Sequence, residues 1–127
     1  LKYIYNLGGE EIAFTIIRFI VAVLTAVTGL YIVLRPESYA KLAEFSTVNS
    51  RGRTEVKAIM GGTFIGLGVA PMILLGSTIG FIFLGIVYLF IAATRILSMF
   101  VERSFTFTNL IILLVEIAFG LIMVIPV

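Results

Sequence analysis

The sequence predicts an all-α membrane protein: a bundle of four transmembrane helices, with a short interfacial amphipathic helix between spans one and two. Four apolar runs carry this prediction, over residues 12–34, 56–75, 78–97 and 108–125. A helix rises ~1.5 Å per residue and the hydrocarbon core is ~30 Å thick, so about 20 apolar residues cross it. Composition agrees, because 61% of the 127 residues are hydrophobic, against ~45–50% in soluble domains. We therefore expect a single integral membrane domain over residues 1–127.

The composition also limits the chemistry. The chain has no Cys and no His, which are common ligands of zinc, haem and iron–sulfur clusters. The sequence shows neither a phosphate-binding loop nor a nucleophile beside an evident base. We therefore expect no metal, no cofactor and no catalysis. The net charge of +2 comes from basic residues beside the spans, which set topology, so nucleic acid is not an expected partner.

Basic residues predict the orientation of the spans. Most of them lie on or near the connections 35–55 and 98–107, while Lys2 lies on the opposite side and Arg18 lies toward it. Cytoplasmic loops carry an excess of Lys and Arg. An even number of spans also places both termini on one side. We therefore expect the two connections to be cytoplasmic and both termini to be extracytoplasmic.

The first span is longer than the apolar region of a signal peptide, so we expect it to be retained. It leads into the interfacial helix. Pro36 suits the first turn of a helix, and Glu37 suits the positive end of its dipole. Apolar residues then recur at helical spacing at Tyr39, Leu42, Ala43 and Phe45. This pattern predicts an amphipathic helix in the cytoplasmic interface, or a lid packed over the bundle end. The basic loop 46–54 is expected to lie near anionic headgroups.

Small residues indicate how the second span packs. They recur every four residues at Ala58, Gly62, Gly66 and Ala70, and Gly61 and Gly68 widen the stripe. Small residues at this spacing let helix backbones approach closely, which drives association in lipid. The stripe predicts a packing face, either within the chain or in a homodimer. Gly76 and Ser77 predict a tight turn into the third span, where Gly85, Tyr88, Ala92 and Arg95 share one face.

Ionisable residues inside the spans or at their ends are the candidate site: Arg18, Glu55, Arg95 and Glu116. Charges at such depths are costly, so they usually face the bundle interior and find a partner. Their depths allow Arg18 to pair with Glu116, and Arg95 is the rival partner. Glu55 is expected beside Arg95 at the cytoplasmic end.

Two interpretations of this seam of charges stay open. In the structural one, the charges neutralise one another and fix the helix register. In the functional one, they line a cavity for a ligand head group, or Glu116 takes up and releases a proton. An adjacent Arg keeps a carboxylate ionised, which disfavours the proton carrier. An acidic head group held by Arg18 or Arg95 is chemically easier, because Arg binds carboxylate and phosphate with two hydrogen bonds.

The arrangement resembles a known family. Residues 54–68 (TEVKAIMGGTFIGLG) open the second span, Ala93–Thr94–Arg95 close the third, and the first and fourth spans contain an Arg and a Glu. This resembles the bacterial four-helix membrane family DUF4345, a domain of unknown function, and more loosely DoxX-like bundles. The family usually has Arg where this chain has Lys57. The resemblance implies a four-helix fold in a bacterial plasma membrane and supplies no reaction. It marks Arg18, Glu55, Gly61, Gly62, Arg95 and Glu116.

Several functions follow as expectations. The leading one is a small non-catalytic membrane protein, either an accessory subunit of a larger membrane complex or a bundle that binds a lipid-like ligand. Its partners would be membrane lipids, and other membrane subunits or further copies of the chain. The first alternative is a small oligomeric transporter that uses Glu116. The second is a lipid-modifying enzyme, in which Glu55 and Arg95 act as acid and base.

Overall fold

The computed structural model describes residues 8–74 and 78–125. Over these ranges the chain is helical, and no strand occurs. The elements in chain order are α1 (Gly9–Leu34), α2 (Pro36–Leu42), α3 (Ser50–Glu55), a π-helix (Val56–Gly61), α4 (Gly62–Ile73), α5 (Thr78–Glu102) and α6 (Phe107–Val124). The all-α prediction is confirmed.

Four helical stretches are long and apolar enough to cross a membrane: Gly9–Leu34, Ser50–Ile73, Thr78–Glu102 and Phe107–Val124. The second of these comprises α3, the π-helix and α4. In the most apolar part of each stretch, at most 33% of the residues are buried within the protein. Most of the apolar surface therefore faces outward, as it must in a helix that contacts lipid.

The two largest extensions of the helices beyond the apolar runs are at the start of the second span and at the end of the third. The second span begins at Ser50 rather than at 56, because the Asn49 side chain caps the helix by accepting a hydrogen bond from the Gly52 amide at 2.9 Å. The third span continues to Glu102 rather than 97. Hydropathy marks what lies in the hydrocarbon, whereas a helix continues through polar residues until its backbone is capped. The predicted Gly76–Ser77 turn lies outside the described residues, as does Lys2.

Two connections begin with the same backbone device. Glu44 follows α2 at φ 61° and Arg103 follows α5 at φ 52°, both in the left-handed region. The next amide then donates back to a helical carbonyl: Phe45 to Ala40 at 2.9 Å and Ser104 to Met99 at 3.0 Å. These are the bonds of a Schellman motif, which satisfies the last carbonyls of a helix and turns the chain away. The predicted interfacial helix α2 thus ends sharply.

Contacts divide the chain into two compact units. The first, which we call the α5–α6 unit, contains Leu1–Arg18 and Leu75–Val127, and the second, the α2–α4 unit, contains Phe19–Leu74. In the α5–α6 unit the two helices approach closely at two glycines. A Cβ atom on Gly85 would lie 2.9 Å from the Gly120 carbonyl oxygen, and a Cβ on Gly120 would lie 2.6 Å from Leu89. The core around them is formed by Phe81, Leu84, Tyr88, Met99 and Met123.

In the α2–α4 unit, the second span packs against the later part of α1. A Cβ atom on Gly68 would collide with the backbone of Ala22 and Ala26, and one on Gly29 would lie 2.6 Å from the Gly61 carbonyl oxygen. Gly61 and Gly68 are two helical turns apart, so they share one face of the span. Both are buried.

The structure divides the predicted packing residues. Gly61 lies in the contact just described, but Ala58, Gly62, Gly66 and Ala70 are all exposed. Successive residues are ~100° apart around a helix, so Gly62 faces away from Gly61, and each further step of four residues turns the stripe ~40° further. Packing within the chain therefore uses the Gly61–Gly68 face and not the four-residue stripe. The homodimer alternative for that stripe stays a prediction.

Candidate functional site

The central feature of the site is an ion pair between α5 and α6. Arg95 donates two hydrogen bonds to the Glu116 carboxylate, from Nε to Oε2 at 2.9 Å and from Nη2 to Oε1 at 2.7 Å. The exposed fraction of the side chain is 9% for Glu116 and 28% for Arg95. This two-bond geometry is the strong form of an Arg–carboxylate contact and fixes the relative position of the two helices. Of the two candidate partners, Arg95 is the one that holds Glu116.

Asn109 extends the ion pair toward the connection between the helices. Its Oδ1 accepts a hydrogen bond from Arg95 Nη1 at 3.3 Å, and its Nδ2 donates to the Ser104 carbonyl at 2.8 Å. The backbone N–H of Asn109 in turn donates to the Thr106 hydroxyl at 3.2 Å, and Thr106 thereby caps α6. Asn109 precedes Glu116 by two helical turns, so the two side chains share a face. The spacing of the two residues can be read from the sequence, but the bond to Arg95 cannot.

A groove with an internal volume of about 570 Å³ runs along α5 beside this network. We call it the α5 groove. Its wall is apolar at Ile86, Val87, Phe90, Ile91 and Met99, and polar at Thr94, Arg95, Ser98, Ser104 and Asn109. From Ile86 to Ser98 the helix rises ~18 Å, and the polar residues lie at the Ser98 end and beyond. Ligand sites in proteins span ~300–1,000 Å³ and combine apolar walls with a few polar groups. No pattern in the sequence indicates this groove.

Arg18 lies elsewhere in the α5–α6 unit. Its side chain is buried and donates hydrogen bonds to the backbone carbonyls of Ile122, at 3.3 Å, and of Ile125. These carbonyls belong to the end of α6, where helical carbonyls lack partners within the helix and the dipole attracts cations. The guanidinium carbon also lies 4.6 Å from the ring centre of Phe14 and 5.8 Å from that of Phe81. Arg18 therefore caps α6.

Of the two pairings that the depths allow, the one between Arg18 and Glu116 is not what the structure shows. Glu116 precedes Ile122 by about one and a half turns, or ~9 Å along α6. The long Arg18 side chain reaches the helix end, where two carbonyls accept its N–H groups. The depth estimate placed both residues in the same half of the span but could not show which group each side chain contacts.

Glu55 belongs to the α2–α4 unit and is exposed. Its carboxylate lies 4.0 Å from Arg51, one helical turn earlier. Such an exposed pair contributes little to stability, ~0.3–0.5 kcal/mol. The predicted contact between Glu55 and Arg95 stays a prediction. Among the described residues, no three His, Cys, Asp or Glu side chains come close enough to hold a metal ion.

Comparison with protein families gives a match over nearly the whole chain. The family model for DUF4345, described as a domain of unknown function, matches residues 13–126. The chain belongs to the DUF4345 family. No curated protein and no solved structure gives a significant match. The DUF4345 match covers Arg18, Arg95, Asn109, Glu116 and the whole α5 groove. Because the family has no assigned activity, function must be argued from the site.

Proposed function

We propose that this protein is a non-catalytic integral membrane protein that binds an amphiphile in the α5 groove. The observation that carries the proposal is the groove itself, in which an apolar wall on a membrane-spanning helix ends in a hydrogen-bonding network. An acyl chain matches the wall from Ile86 to Ile91, and a polar head matches the end at Ser98. A soluble polar molecule would leave the apolar wall unused.

The ion pair decides which kind of head group fits. Arg95 already binds the Glu116 carboxylate with two hydrogen bonds, so the pair is neutral and offers no net charge to an acidic head. Ser98, Ser104 and Asn109 supply hydroxyl and amide groups at the same end. We therefore propose a neutral head that bears hydroxyl or ester groups, in place of the acidic head expected from the sequence. Monoacylglycerol is the simplest lipid of this class.

Photo-crosslinking tests the proposal. The purified protein in detergent is exposed to two probes with the same diazirine-bearing acyl chain, a monoacylglycerol and a free fatty acid. Val87 lines the groove, whereas Val101 is 78% exposed on the same helix and does not line it. Val87→Phe therefore narrows the groove, and Val101→Phe is the matched control.

The proposal expects the monoacylglycerol to label α5 residues of the groove, with labelling reduced at least about tenfold by Val87→Phe and unchanged by Val101→Phe. A tenfold change corresponds to about 1.4 kcal/mol, which is within the cost of overfilling a packed site. Equal reduction by both variants would mean that labelling reports general detergent exchange. Stronger labelling by the fatty acid than by the monoacylglycerol would favour an acidic head group over a neutral one.

The exposed small-residue stripe favours a second candidate, association with another membrane helix. Gly62 and Gly66 are exposed, and a Cβ atom on Gly66 would meet nothing within 4 Å. Such a face suits close approach by a helix from another chain. Native mass spectrometry of protein extracted gently from its own membrane tests this. A constant heteromeric mass supports an accessory subunit, a doubled mass supports a homodimer, and a single chain with a bound small mass supports the amphiphile.

Two further alternatives and the orientation stay proposals. A transporter that works through Glu116 requires substrate-dependent proton flux in liposomes that Glu116→Gln abolishes, and the lipid-modifying enzyme requires product formation that depends on Glu55.

For localisation we propose a bacterial plasma membrane, with both termini extracytoplasmic. The chain has no Cys, so Ser46→Cys and Gly8→Cys each give a single thiol. A membrane-impermeant maleimide added to whole cells should label the Gly8→Cys variant and not the Ser46→Cys variant.

A further inference from the structure

The connection between the first two spans has a surface of unusual composition. We call residues 35–57 the connection surface; it lies wholly in the α2–α4 unit. Its most exposed apolar side chains are Val48 at 93% and Leu42 at 72%, and Phe45 is also exposed. Exposure of large apolar side chains to water is unfavourable, so we expect these side chains to contact an apolar environment.

Basic side chains surround these apolar ones. Five basic residues and three acidic residues occur in the connection surface. The basic ones are Arg35, Lys41, Arg51, Arg53 and Lys57, and all are exposed. Of the acidic ones, Glu37 lies 3.5 Å from Arg53 and Glu55 lies 4.0 Å from Arg51. The surface therefore has a net positive charge next to exposed apolar groups.

Local hydrogen bonds fix the shape of the connection surface. The Glu37 carboxylate accepts hydrogen bonds from the Thr47 hydroxyl at 3.2 Å and from Arg53 at 3.5 Å. Asn49 caps α3, and Glu44 closes the Schellman motif after α2. Val48 lies between Thr47 and Asn49, so both of its neighbours are anchored. Its side chain is held outward by this backbone.

We propose that the connection surface binds anionic phospholipids of the bilayer that the chain spans. Leu34 ends the first span and Ser50 begins the second, so the segment between them must lie at a bilayer surface. Val48 and Leu42 enter the boundary between headgroups and acyl chains, and Lys41, Arg51 and Arg35 contact lipid phosphates. Basic residues beside a membrane are attracted to an anionic surface, and apolar residues gain from burial in it. This site differs from the α5 groove in residues, unit and ligand charge.

Fluorescence quenching tests the proposal on the full chain in lipid. The protein has no Trp, so Val48→Trp introduces a single fluorophore at the tip of the surface. The variant is placed in bilayers of phosphatidylglycerol and phosphatidylcholine at one fixed ratio, with bromine on the acyl chains of one lipid or the other. The ratio of the two quenching efficiencies then measures the local enrichment of the anionic lipid. Val101→Trp, at an apolar position 78% exposed near the end of α5, is the matched control.

The expected result is quenching at Val48→Trp that is at least about threefold stronger when bromine is on phosphatidylglycerol, and a ratio near one at Val101→Trp. Adding Lys41→Gln and Arg51→Gln should bring the Val48→Trp ratio toward one, because each lost cation weakens the attraction to anionic headgroups. Salt at ~1 M should also bring the Val48→Trp ratio toward one, since the Debye length falls to ~3 Å. Leu42→Trp repeats the test at a second position.

Two results would overturn the proposal. Equal quenching by both brominated lipids at Val48→Trp and Leu42→Trp would show that the surface meets the bilayer without selecting anionic headgroups. Absence of quenching by either lipid, with Val101→Trp quenched normally, would show that the surface faces water or another protein.

Discussion

The two units of this protein hold their helices together by different means. In the α2–α4 unit, α1 and the second span approach each other closely at three glycines, Gly29, Gly61 and Gly68. In the α5–α6 unit, one close glycine contact between Gly85 and Gly120 is followed by a buried ion pair. Small residues gain van der Waals contact, which is the main attraction between helices in lipid. The ion pair adds little of that contact but permits a single alignment of the helices.

The difference indicates where a ligand site can form. At Gly29, Gly61 and Gly68 the two helices lie too close together to admit even a methyl group without a shift. An Arg–Glu pair brings long side chains and further polar groups into the interface, and the α5 groove lies beside them. In the α5–α6 unit, the ion pair and the groove thus occur side by side. Breaking the ion pair should therefore lower the free energy of unfolding by more than disturbing any single contact in the α2–α4 unit.

The largest expected effect comes from Glu116→Leu. This change leaves the Arg95 guanidinium without its carboxylate in a buried interface and should lower the free energy of unfolding by ~3–5 kcal/mol. The double variant Arg95→Met with Glu116→Leu should recover most of that loss, since two apolar side chains replace the pair. Unfolding in mixed micelles of increasing SDS content measures both. A double variant as unstable as the single one would contradict a charge-pair origin.

The next effect concerns Arg18, which belongs to the same unit but binds backbone carbonyls. Arg18→Met removes its hydrogen bonds to Ile122 and Ile125 and should cost ~1.5–3 kcal/mol, the usual range for bonds to a charged group. Arg18→Lys keeps the charge at the end of α6 but loses the planar geometry, so an intermediate loss is expected. Unfolding in SDS ranks the stabilities of the two variants, and hydrogen exchange shows whether the loss of stability lies at the last turn of α6. Equal losses in both variants would show that the charge itself is unimportant.

A smaller effect tests the α2–α4 unit directly. Gly68→Ala places a methyl group against the backbone of Ala22 and Ala26, so the helices must separate, at a cost of ~1–3 kcal/mol. Gly66→Ala is the control two residues earlier, where the space is open; it should stabilise the helix by ~0.5–1 kcal/mol. The two changes therefore have opposite signs in the same unfolding assay. Destabilisation by Gly66→Ala as well would indicate that the exposed stripe is an interface in the assembled protein.

The smallest effect should be the same in both units. Glu44 and Arg103 both have positive φ after a helix, a conformation that costs a residue other than glycine ~1–2 kcal/mol. Glu44→Gly and Arg103→Gly should each raise the free energy of unfolding by about 1 kcal/mol, less the added entropy of the unfolded chain. The gain is local, so it should not depend on which unit carries the change. A gain at one site only would mean that the lost charge matters at the other.

Much of the fold could be predicted because it depends on local properties. Runs of apolar residues determine which segments enter the hydrocarbon, and Pro36 with Glu37 identified the start of α2. The bounds were less accurate, since the cap at Asn49 and the polar end of α5 have no signal in hydropathy. The candidate site was predicted in part: Arg95 and Glu116 were named as one of two pairs, whereas Ser98, Ser104 and the groove were not foreseen.

The sequence by itself determined the membrane class, the all-α fold with four spans and the presence of buried charges that need partners, because each follows from the polarity of a stretch of chain in lipid. Only the tertiary structure decided that Glu116 binds Arg95, that Arg18 caps α6 and that Gly61 and Gly68 are packed while Gly62 and Gly66 are exposed. These outcomes depend on how each helix is rotated about its axis, and a step of one residue changes that direction by ~100°. Packing of the helices against one another fixes this rotation, and no single segment contains it.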